Sequence, residues 1–327
     1  MRILVTGGAG YIGSVVCRSL RGSGHETVVL DDLSKGHRRA TEGSELIVGD
    51  CGDRSLLAKL FTGGRVDGVV HMAASCLVGE SMTDPARYYR NNFGRALSLL
   101  DAMREAGVGC FVLSSTAAVY GEPESTPIPE DHPTRPTNPY GETKLALEKA
   151  LHWYRQAYGL SYASLRYFNA AGASADATLG EDHSPETHLI PNVLRAALRE
   201  EAVAVYGTDY ETADGTAVRD YIHVEDLAAA HVRALERIRS HPGGVICNLG
   251  NGEGISVREV ITAARRVTGR PIATHDQPRR AGDPARLVAS AERARAELGW
   301  APRSSRIETI LSTVWDYMKS HPDGYEG

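Results

Sequence analysis

The chain reads as an α/β protein: a Rossmann-type, doubly wound parallel sheet followed by a smaller C-terminal mixed α/β domain for a substrate. Three observations predict this. Short apolar runs at 2–6, 27–32, 46–50, 66–74 and 110–115 have the length of strands. Helix-period stretches at 53–61, 84–106 and 141–158 separate several of them, and strands alternating with helices form parallel sheets covered on both faces. The first run leads into "GGAGYIG" and a helix-like stretch to about residue 22, the order of a dinucleotide-binding unit. After "YASLRYFN" (162–169) the alternation loosens. A Gly/Ala/Ser/Asp-rich loop at 172–187 leads to a helix near 189–200, then to short strands and helices. The expected boundary therefore lies at 169/170, giving a cofactor domain (1–169) and a substrate domain (170–327), with some segments interleaved. Residues 121–139 hold six of the 15 prolines and read as a surface loop.

Bulk properties exclude several function classes. A chain of 327 residues can bury an ample core. Its net charge of −5 is spread along the chain, which leaves no basic footprint for nucleic acid. The apolar runs fall far short of the roughly 20 residues a membrane-spanning helix needs. "MRILVTGG" enters a strand at once and leaves no room for a signal peptide. Cys17, Cys51, Cys76, Cys110 and Cys247 are odd in number and lack C-x-x-C spacing, so they read as reduced thiols of a cytoplasmic protein. The histidines show neither H-E-x-x-H nor Cys-rich spacing, and no metal site is expected.

The glycine turn is the strongest local signal. Gly8, Gly10 and Gly13 satisfy G-x-G-x-x-G, with Gly7 in front. The first glycines allow a tight turn and close approach of a pyrophosphate to the helix N-terminus; the third allows close helix–strand packing. Asp31, eighteen residues past Gly13, ends the second strand. A carboxylate there accepts from ribose hydroxyls and repels a 2′-phosphate, which favours NAD over NADP. Asp50, ending the third run, is placed to reach the adenine.

"NPYGETK" (138–144) carries the candidate chemistry. Asn138 reads as a helix N-cap and Pro139 as the first helical residue, which sets Tyr140 and Lys144 one turn apart on one face. Such pairs arise by chance in many helices; the nucleotide motif gives this one its meaning. Oxidising a carbinol to a ketone requires a base on the hydroxyl. Tyrosine is a poor one at its usual pKa of about 10, so Lys144 is expected to favour the phenolate. Thr116, at the end of the "FVLSS" strand, adds a hydroxyl for the same oxygen.

"TGGAGYIG", "SSTAAVYG" and "YGETK" resemble the extended short-chain dehydrogenase/reductase (NAD-dependent epimerase/dehydratase) family. "HMAASCLVGES", "RYFNAAGA", "DGTAVRDYIHVEDLA" and "RRAGDPA" resemble its branch that interconverts UDP-glucose and UDP-galactose at C4, and the similarity runs to the C-terminal "HPDGY". The resemblance implies an NAD site made by Gly7, Gly10, Tyr11, Ile12, Gly13, Asp31, Asp32, Ser34, Lys35, Gly36, Asp50 and Cys51. Met72, Ala73, Ala74, Asn91, Ser114, Tyr140, Lys144, Tyr167 and Phe168 would complete it. For a UDP-sugar it implies Asn169, Arg219 and Arg280 on the diphosphate, Asp283 on the uridine ribose, and Val205 and Tyr206, in "VAVY" (203–206), along the uracil. Thr116, Tyr140, His188 and Leu189 would complete the sugar site, with Thr116, Tyr140 and Lys144 catalytic. Two arginines suit a diphosphate and one carboxylate suits a diol. His223 reads as a structural histidine near a helix start.

Dehydratases of the family place an Asp-Glu pair after the threonine; here stand Ala117 and Ala118, which do no acid–base work. A 4-keto sugar can then only take its hydride back, and C4 inverts if the sugar turns over first. Cys76, His188 and Leu287 depart from better-known members and leave the sugar open: the same chemistry on UDP-GlcNAc, UDP-glucuronate or a UDP-pentose is the alternative. A non-catalytic NAD sensor is the reading from another class. The resemblance also implies a homodimer, for which helices 84–106 and 141–158 are the candidate interface.

Overall fold

A computed structural model describes residues 1–280 and 282–326. Thirteen strands and eleven α-helices alternate along it. In the first half these are β1 (Arg2–Thr6), α1 (Tyr11–Gly22), β2 (Glu26–Asp31), β3 (Glu45–Val48), α2 (Arg54–Gly63), β4 (Gly68–His71), α3 (Val78–Thr83), α4 (Pro85–Tyr88), α5 (Arg95–Ala106), β5 (Cys110–Thr116), α6 (Pro139–Tyr158) and β6 (Ser161–Tyr167). In the second they are β7 (Asn169–Ala171), α7 (Leu189–Arg199), β8 (Ala202–Tyr206), β9 (Val218–His223), α8 (Val224–Ser240), β10 (Gly244–Leu249), β11 (Gly254–Ser256), α9 (Val257–Thr268), β12 (Ala273–Gln277), β13 (Arg286–Leu287), α10 (Glu292–Leu298) and α11 (Ile307–Ser320).

Seven parallel strands form the main sheet in the order β10-β6-β5-β4-β1-β2-β3. These strands are near-continuous runs of Val, Ile and Leu because both faces are covered. Val15, Val16 and Leu20 of α1 pack with Leu227 and Leu235 of α8 on one face. Leu57 of α2, Leu99 and Met103 of α5 and Leu147 and Leu151 of α6 cover the other. The chain leaves β1 toward β2 and β3, then returns to β4 on the other side of β1, so the strand order reverses between β1 and β4. Ligands of such sheets bind at that reversal. The two turns there are in contact: a Cβ added at Gly7 would fall 2.5 Å from the Ala73 nitrogen.

The C-terminal half has its own core, in which Ile190 and Val193 of α7, Val260 and Ile261 of α9 and Ile310 and Val314 of α11 pack over Val203 and Val205 of β8. Its β10 nevertheless belongs to the main sheet as the edge strand beside β6, with Val245 opposite Ala163.

Two features depart from expectation. The proline-rich stretch before α6 is not a surface loop throughout. Ile128 is fully buried and Glu130 and His132 nearly so. Ile128 donates its N–H to the Val288 carbonyl (2.8 Å), and Glu130 Oε1 accepts from the Asn248 N–H (2.8 Å). The stretch thus stitches the main sheet to the second half through Ile128 and Glu130, while its prolines stay partly or fully exposed, a mixture that composition alone does not distinguish from a surface loop. The helix expected over 84–106 is also interrupted, by a widened turn of π type at Tyr89–Gly94. Such turns are frequent at functional sites. This one aims Asn92 at the loop after β4, where its amide accepts from the Ser75 N–H (2.8 Å) and donates to the Ser75 carbonyl (2.9 Å).

Candidate active site

The glycine turn forms as its chemistry requires. Gly7 lies at φ +73°, in the left-handed region. A Cβ at Gly13 would fall 2.2 Å from the Gly7 carbonyl oxygen, so only glycine lets α1 sit on the end of β1. At Gly10, by contrast, an added Cβ would meet nothing closer than that same oxygen at 3.4 Å. No side chain caps the first turn of α1, which leaves the positive end of the helix to the cavity.

Asp31 is buried at the end of β2. Its carboxylate accepts from the Ala9 N–H (3.0 Å) and the Leu33 N–H (2.9 Å). Burial raises its pKa, and those two hydrogen bonds oppose the rise. Asp32 accepts from Ser34, through N–H at 3.0 Å and hydroxyl at 2.5 Å.

A cavity of about 970 Å³ opens over these groups and runs along the C-terminal ends of the strands. It gathers Gly7, Gly10, Tyr11, Ile12, Gly13, Asp31, Asp32, Ser34, Lys35, Gly36, Cys51, Met72, Ala73, Ala74, Asn91, Ser114, Thr116, Tyr140, Lys144, Tyr167, Phe168, Asn169 and His188. One continuous surface therefore joins the dinucleotide cradle to the Tyr–Lys pair. Asp50 is not among its walls: its carboxylate accepts from the Gly52 N–H (2.7 Å) and pairs with Arg95 (2.8 Å). Arg95, which does line the cavity, reaches Asp32 at 3.8 Å as well. Sequence reasoning missed Arg95, because nothing local distinguishes an arginine on an outward helix face from one turned across a strand end.

Tyr140 and Lys144 are positioned from three sides. Asn138 caps α6, its side chain accepting from the Gly141 N–H (2.9 Å), and Pro139 begins the helix. Gly141 packs against the chain after Thr116, where a Cβ would fall 2.6 Å from the Ala118 carbonyl oxygen. One turn beyond Lys144, Glu148 is buried in an ion pair with Arg166 of β6 (2.6 Å) and accepts from the Ser115 hydroxyl (2.6 Å). This brace fixes α6 against β5 and β6, and so fixes Tyr140 relative to Thr116. Glu148 stands four residues past Lys144, and that spacing was the one signal that could have found it.

Burial dominates the electrostatics of the pair. Burial pushes the Tyr140 phenol above its ordinary value, Cys76 adds to the rise, and a hydrogen bond with Thr116 opposes it. Among the described residues, no hydrogen bond joins Lys144 to the phenol. The ammonium donates instead to the Ser114 carbonyl (2.6 Å), and burial lowers its own pKa to about 8. Both groups lie in the same wall, and desolvation is the largest effect on each. A buried lysine of that pKa is still mostly charged at neutral pH.

At the far end of the cavity, His188 and His183 both hydrogen-bond Glu181 (2.6 and 3.0 Å), and His188 also meets Glu186 (3.2 Å). Burial would raise the Glu181 carboxyl, but the two imidazoles outweigh it and hold it low. Burial would likewise lower His188, and the two carboxylates hold it high. The four ligating atoms lie within 4.8 Å of one another. In this structure the four side chains are joined to one another by hydrogen bonds and ion pairs.

Of the residues expected on the UDP, Asn169 lines this cavity, whereas Arg219, Arg280, Asp283, Val205 and Tyr206 are not among its walls. Arg219 is paired with Asp283, its other nitrogen donating to the Val218 carbonyl (2.8 Å). The two therefore engage each other and are not both free for phosphate and ribose. The Arg280 guanidinium lies 4.2 Å over the half-exposed Tyr206 ring. Val205 requires a correction: its side chain is buried in the second core, because β8 alternates and the outward position falls to Tyr206. Leu189 opens α7 and also stays outside the cavity walls. His223 caps α8, its Nδ1 accepting from the Glu225 N–H (3.1 Å).

A parallel sheet with a glycine-rich turn at its reversal, and Thr, Tyr and Lys at the end of the adjacent strands, defines a dinucleotide-dependent oxidoreductase-type site. The model of the NAD dependent epimerase/dehydratase family matches residues 3–250, and the chain belongs to that family. It is 53% identical over 326 residues, covering 99% of this chain and 98% of the relative, to a UDP-glucose 4-epimerase of Halalkalibacterium halodurans. A crystal structure of a UDP-glucose 4-epimerase superposes with a TM-score of 0.97 at 50% identity, over all of both chains. That of the Brucella ovis UDP-glucose 4-epimerase in complex with NAD does so with a TM-score of 0.92 at 47% identity, over 95% of this chain and 96% of that one.

Proposed function

We propose that the chain holds NAD in this cavity and inverts C4 of a UDP-hexose, interconverting UDP-glucose and UDP-galactose through a 4-keto sugar. The observation that carries this is the meeting of Thr116 and Tyr140 on the wall that also holds the dinucleotide cradle, with only Ala117 and Ala118 where further acid–base groups would stand. The cradle fits the cofactor: the open space at Gly10 and the uncapped start of α1 suit a pyrophosphate, and Asp31 suits an adenosine ribose. Bound NAD supplies the acceptor for the hydride of the sugar C4–H bond and gives it back.

The protein's own groups do the rest. Tyr140 takes the proton from the sugar hydroxyl as the ketone forms, and returns it when the ketone is reduced on its other face. Thr116 hydrogen-bonds the same oxygen and keeps it on Tyr140. Lys144, anchored on the Ser114 carbonyl, presents a buried cation to the nicotinamide ribose side of the site. Asn169 and the Arg219, Arg280 and Asp283 group receive the UDP part. Arg219 must then exchange its partner Asp283 for phosphate. The division into a cofactor part (1–169) and a sugar part (170–327), with β10 contributed back to the first sheet, belongs to the same reading.

The reaction is tested by incubating purified protein with a panel of UDP-sugars, no NAD added, and identifying products by NMR. C4 inversion of UDP-glucose is the expected result. Turnover of only an N-acetylated, acidic or pentose sugar would replace the hexose, and no inversion of any sugar would overturn the reading.

A homodimer through α4, α5 and α6 is part of the proposal. Trp153 is 68% exposed, Tyr158 59% and Tyr89 45%, all on those helices or the widened turn between α4 and α5. Such aromatics suit an interface core. Trp153→Glu is expected to turn the dimer into a monomer in sedimentation velocity; an unchanged profile would remove this face from consideration. Among the described residues no helix is long and apolar enough to cross a membrane. The five free cysteines support a cytoplasmic setting.

A further inference from the structure

The C-terminal "HPDGY" (321–325) has no part in the chemistry above, yet the fold brings it to the rim of the cofactor cavity. Gly324 lies at φ +69°, and a Cβ there would fall 2.2 Å from Asp182 Oδ2, so glycine alone allows this approach. The turn delivers the Tyr325 N–H to Asp182 Oδ2 (3.0 Å). The Tyr325 hydroxyl, in turn, accepts from the Gly180 N–H (3.0 Å). Its buried ring stacks on His37, with centroids 4.8 Å and planes 28° apart. His37 Nε2 hydrogen-bonds the Asp182 carbonyl (3.1 Å). Underneath, Gly180 lies flat on Tyr317, where a Cβ would come within 2.4 Å of the ring.

His37 and Asp182 extend two opposite walls of the cavity. Ser34, Lys35 and Gly36 line it from one side, and His183, Ser184 and Pro185 from the other. Lys35 Nζ reaches across to the Ser184 carbonyl (2.7 Å). The His37 N–H donates to the Ala9 carbonyl (2.9 Å), which ties the first wall to the glycine turn. Tyr325 thus touches His37 and the 180–182 strap together.

We propose that Tyr325 is a positioning residue for the cofactor. It clamps the 180–185 strap onto the 34–37 loop, so that NAD, once seated, is retained from one turnover to the next. An enzyme whose cofactor must be oxidised and reduced within one catalytic cycle has a use for such retention, since loss of reduced cofactor with the keto sugar in place would end the cycle. The inference rests on the NAD-dependent reaction proposed above.

The test measures exchange of bound NAD against isotopically labelled NAD by mass spectrometry, in the wild-type holoenzyme, Tyr325→Ala, Gly324→Ala and Tyr325→Phe. Both alanine variants lose the ring stack or the hydrogen bonds to the strap and are expected to exchange about tenfold faster. Tyr325→Phe keeps the ring and the backbone bond and is expected to stay within about threefold of wild type. At saturating NAD, kcat of Tyr325→Ala should stay within about twofold of wild type, because Thr116, Tyr140 and Lys144 are untouched. Exchange at the wild-type rate in both alanine variants overturns the clamp. So does a loss of kcat that added NAD does not restore, together with a lowered Tm of the NAD-free protein, which would mark a purely structural role. A wild-type protein that binds no NAD would overturn the reaction instead.

Discussion

Tyr140→Phe is expected to lower C4 inversion by about 10³-fold while the protein keeps its NAD, with product measured by NMR and bound cofactor by its absorbance after denaturation. The phenylalanine ring fills the same buried space, so the fold and the cavity are preserved. Only the proton acceptor is lost. Inversion at more than about a tenth of the wild-type rate would remove Tyr140 from the chemistry. The pH dependence of the wild type follows from the same group. Burial raises the phenol, so the proton-free form that acts as base is the minority species at neutral pH. Its population grows with pH up to its pKa and falls about tenfold for each unit below it. The first half-reaction, followed by the absorbance of reduced nicotinamide after mixing with UDP-glucose, should therefore accelerate as pH rises and be lost as pH falls. A rate that is flat over that range would show that the proton transfer is not limiting.

The second large effect is at the glycine turn, where two alanine substitutions of equal size are expected to act differently. At Gly13 the added methyl meets backbone: the Gly7 carbonyl oxygen at 2.2 Å and the Gly8 Cα at 2.9 Å. Neither can swing away as a side chain would, so α1 must lift off β1. We expect Gly13→Ala to cost about 1–3 kcal/mol of stability and to abolish NAD binding. At Gly10 the added methyl projects into the cavity and meets the protein only at 3.4 Å. Gly10→Ala should leave the Tm of the NAD-free protein unchanged, or raise it slightly through the reduced freedom of the unfolded chain, yet weaken NAD by about 100-fold in calorimetry. Equal NAD affinity in Gly10→Ala and wild type would mean that no cofactor lies against that turn.

The contrast between the two glycines also separates what local sequence can reveal from what it cannot. Both belong to one motif, which by itself assigns Gly13 to packing and the earlier glycines to the pyrophosphate, whereas their distances from the Gly7 carbonyl, 2.2 Å and 3.4 Å, come only from the fold. The same holds for the lysine. Its spacing from Tyr140 announces a shared helix face, whereas its direction, toward the Ser114 carbonyl, depends on a strand nearly thirty residues earlier.

Asp31, the glycine turn, Asn138-Pro139 and the Tyr–Lys spacing could be read directly because each depends on contacts within a few residues: a turn, a cap, a helix face. The strand–helix alternation could be read for the same reason, since hydrophobic period is a local property. Tertiary structure alone decided the Glu148–Arg166 brace, the pairing of Arg219 with Asp283, the inward face of Val205 and the burial of Ile128, Glu130 and His132. These are encounters between segments far apart in the chain, and no pattern of neighbours encodes which distant partner a charge or a strand face will meet. The dinucleotide cradle and its Tyr–Lys pair were thus determined by the sequence itself. How the second half folds back to close over them, with Tyr325 from the other end of the chain stacked on His37, was settled only by the packing of the two cores.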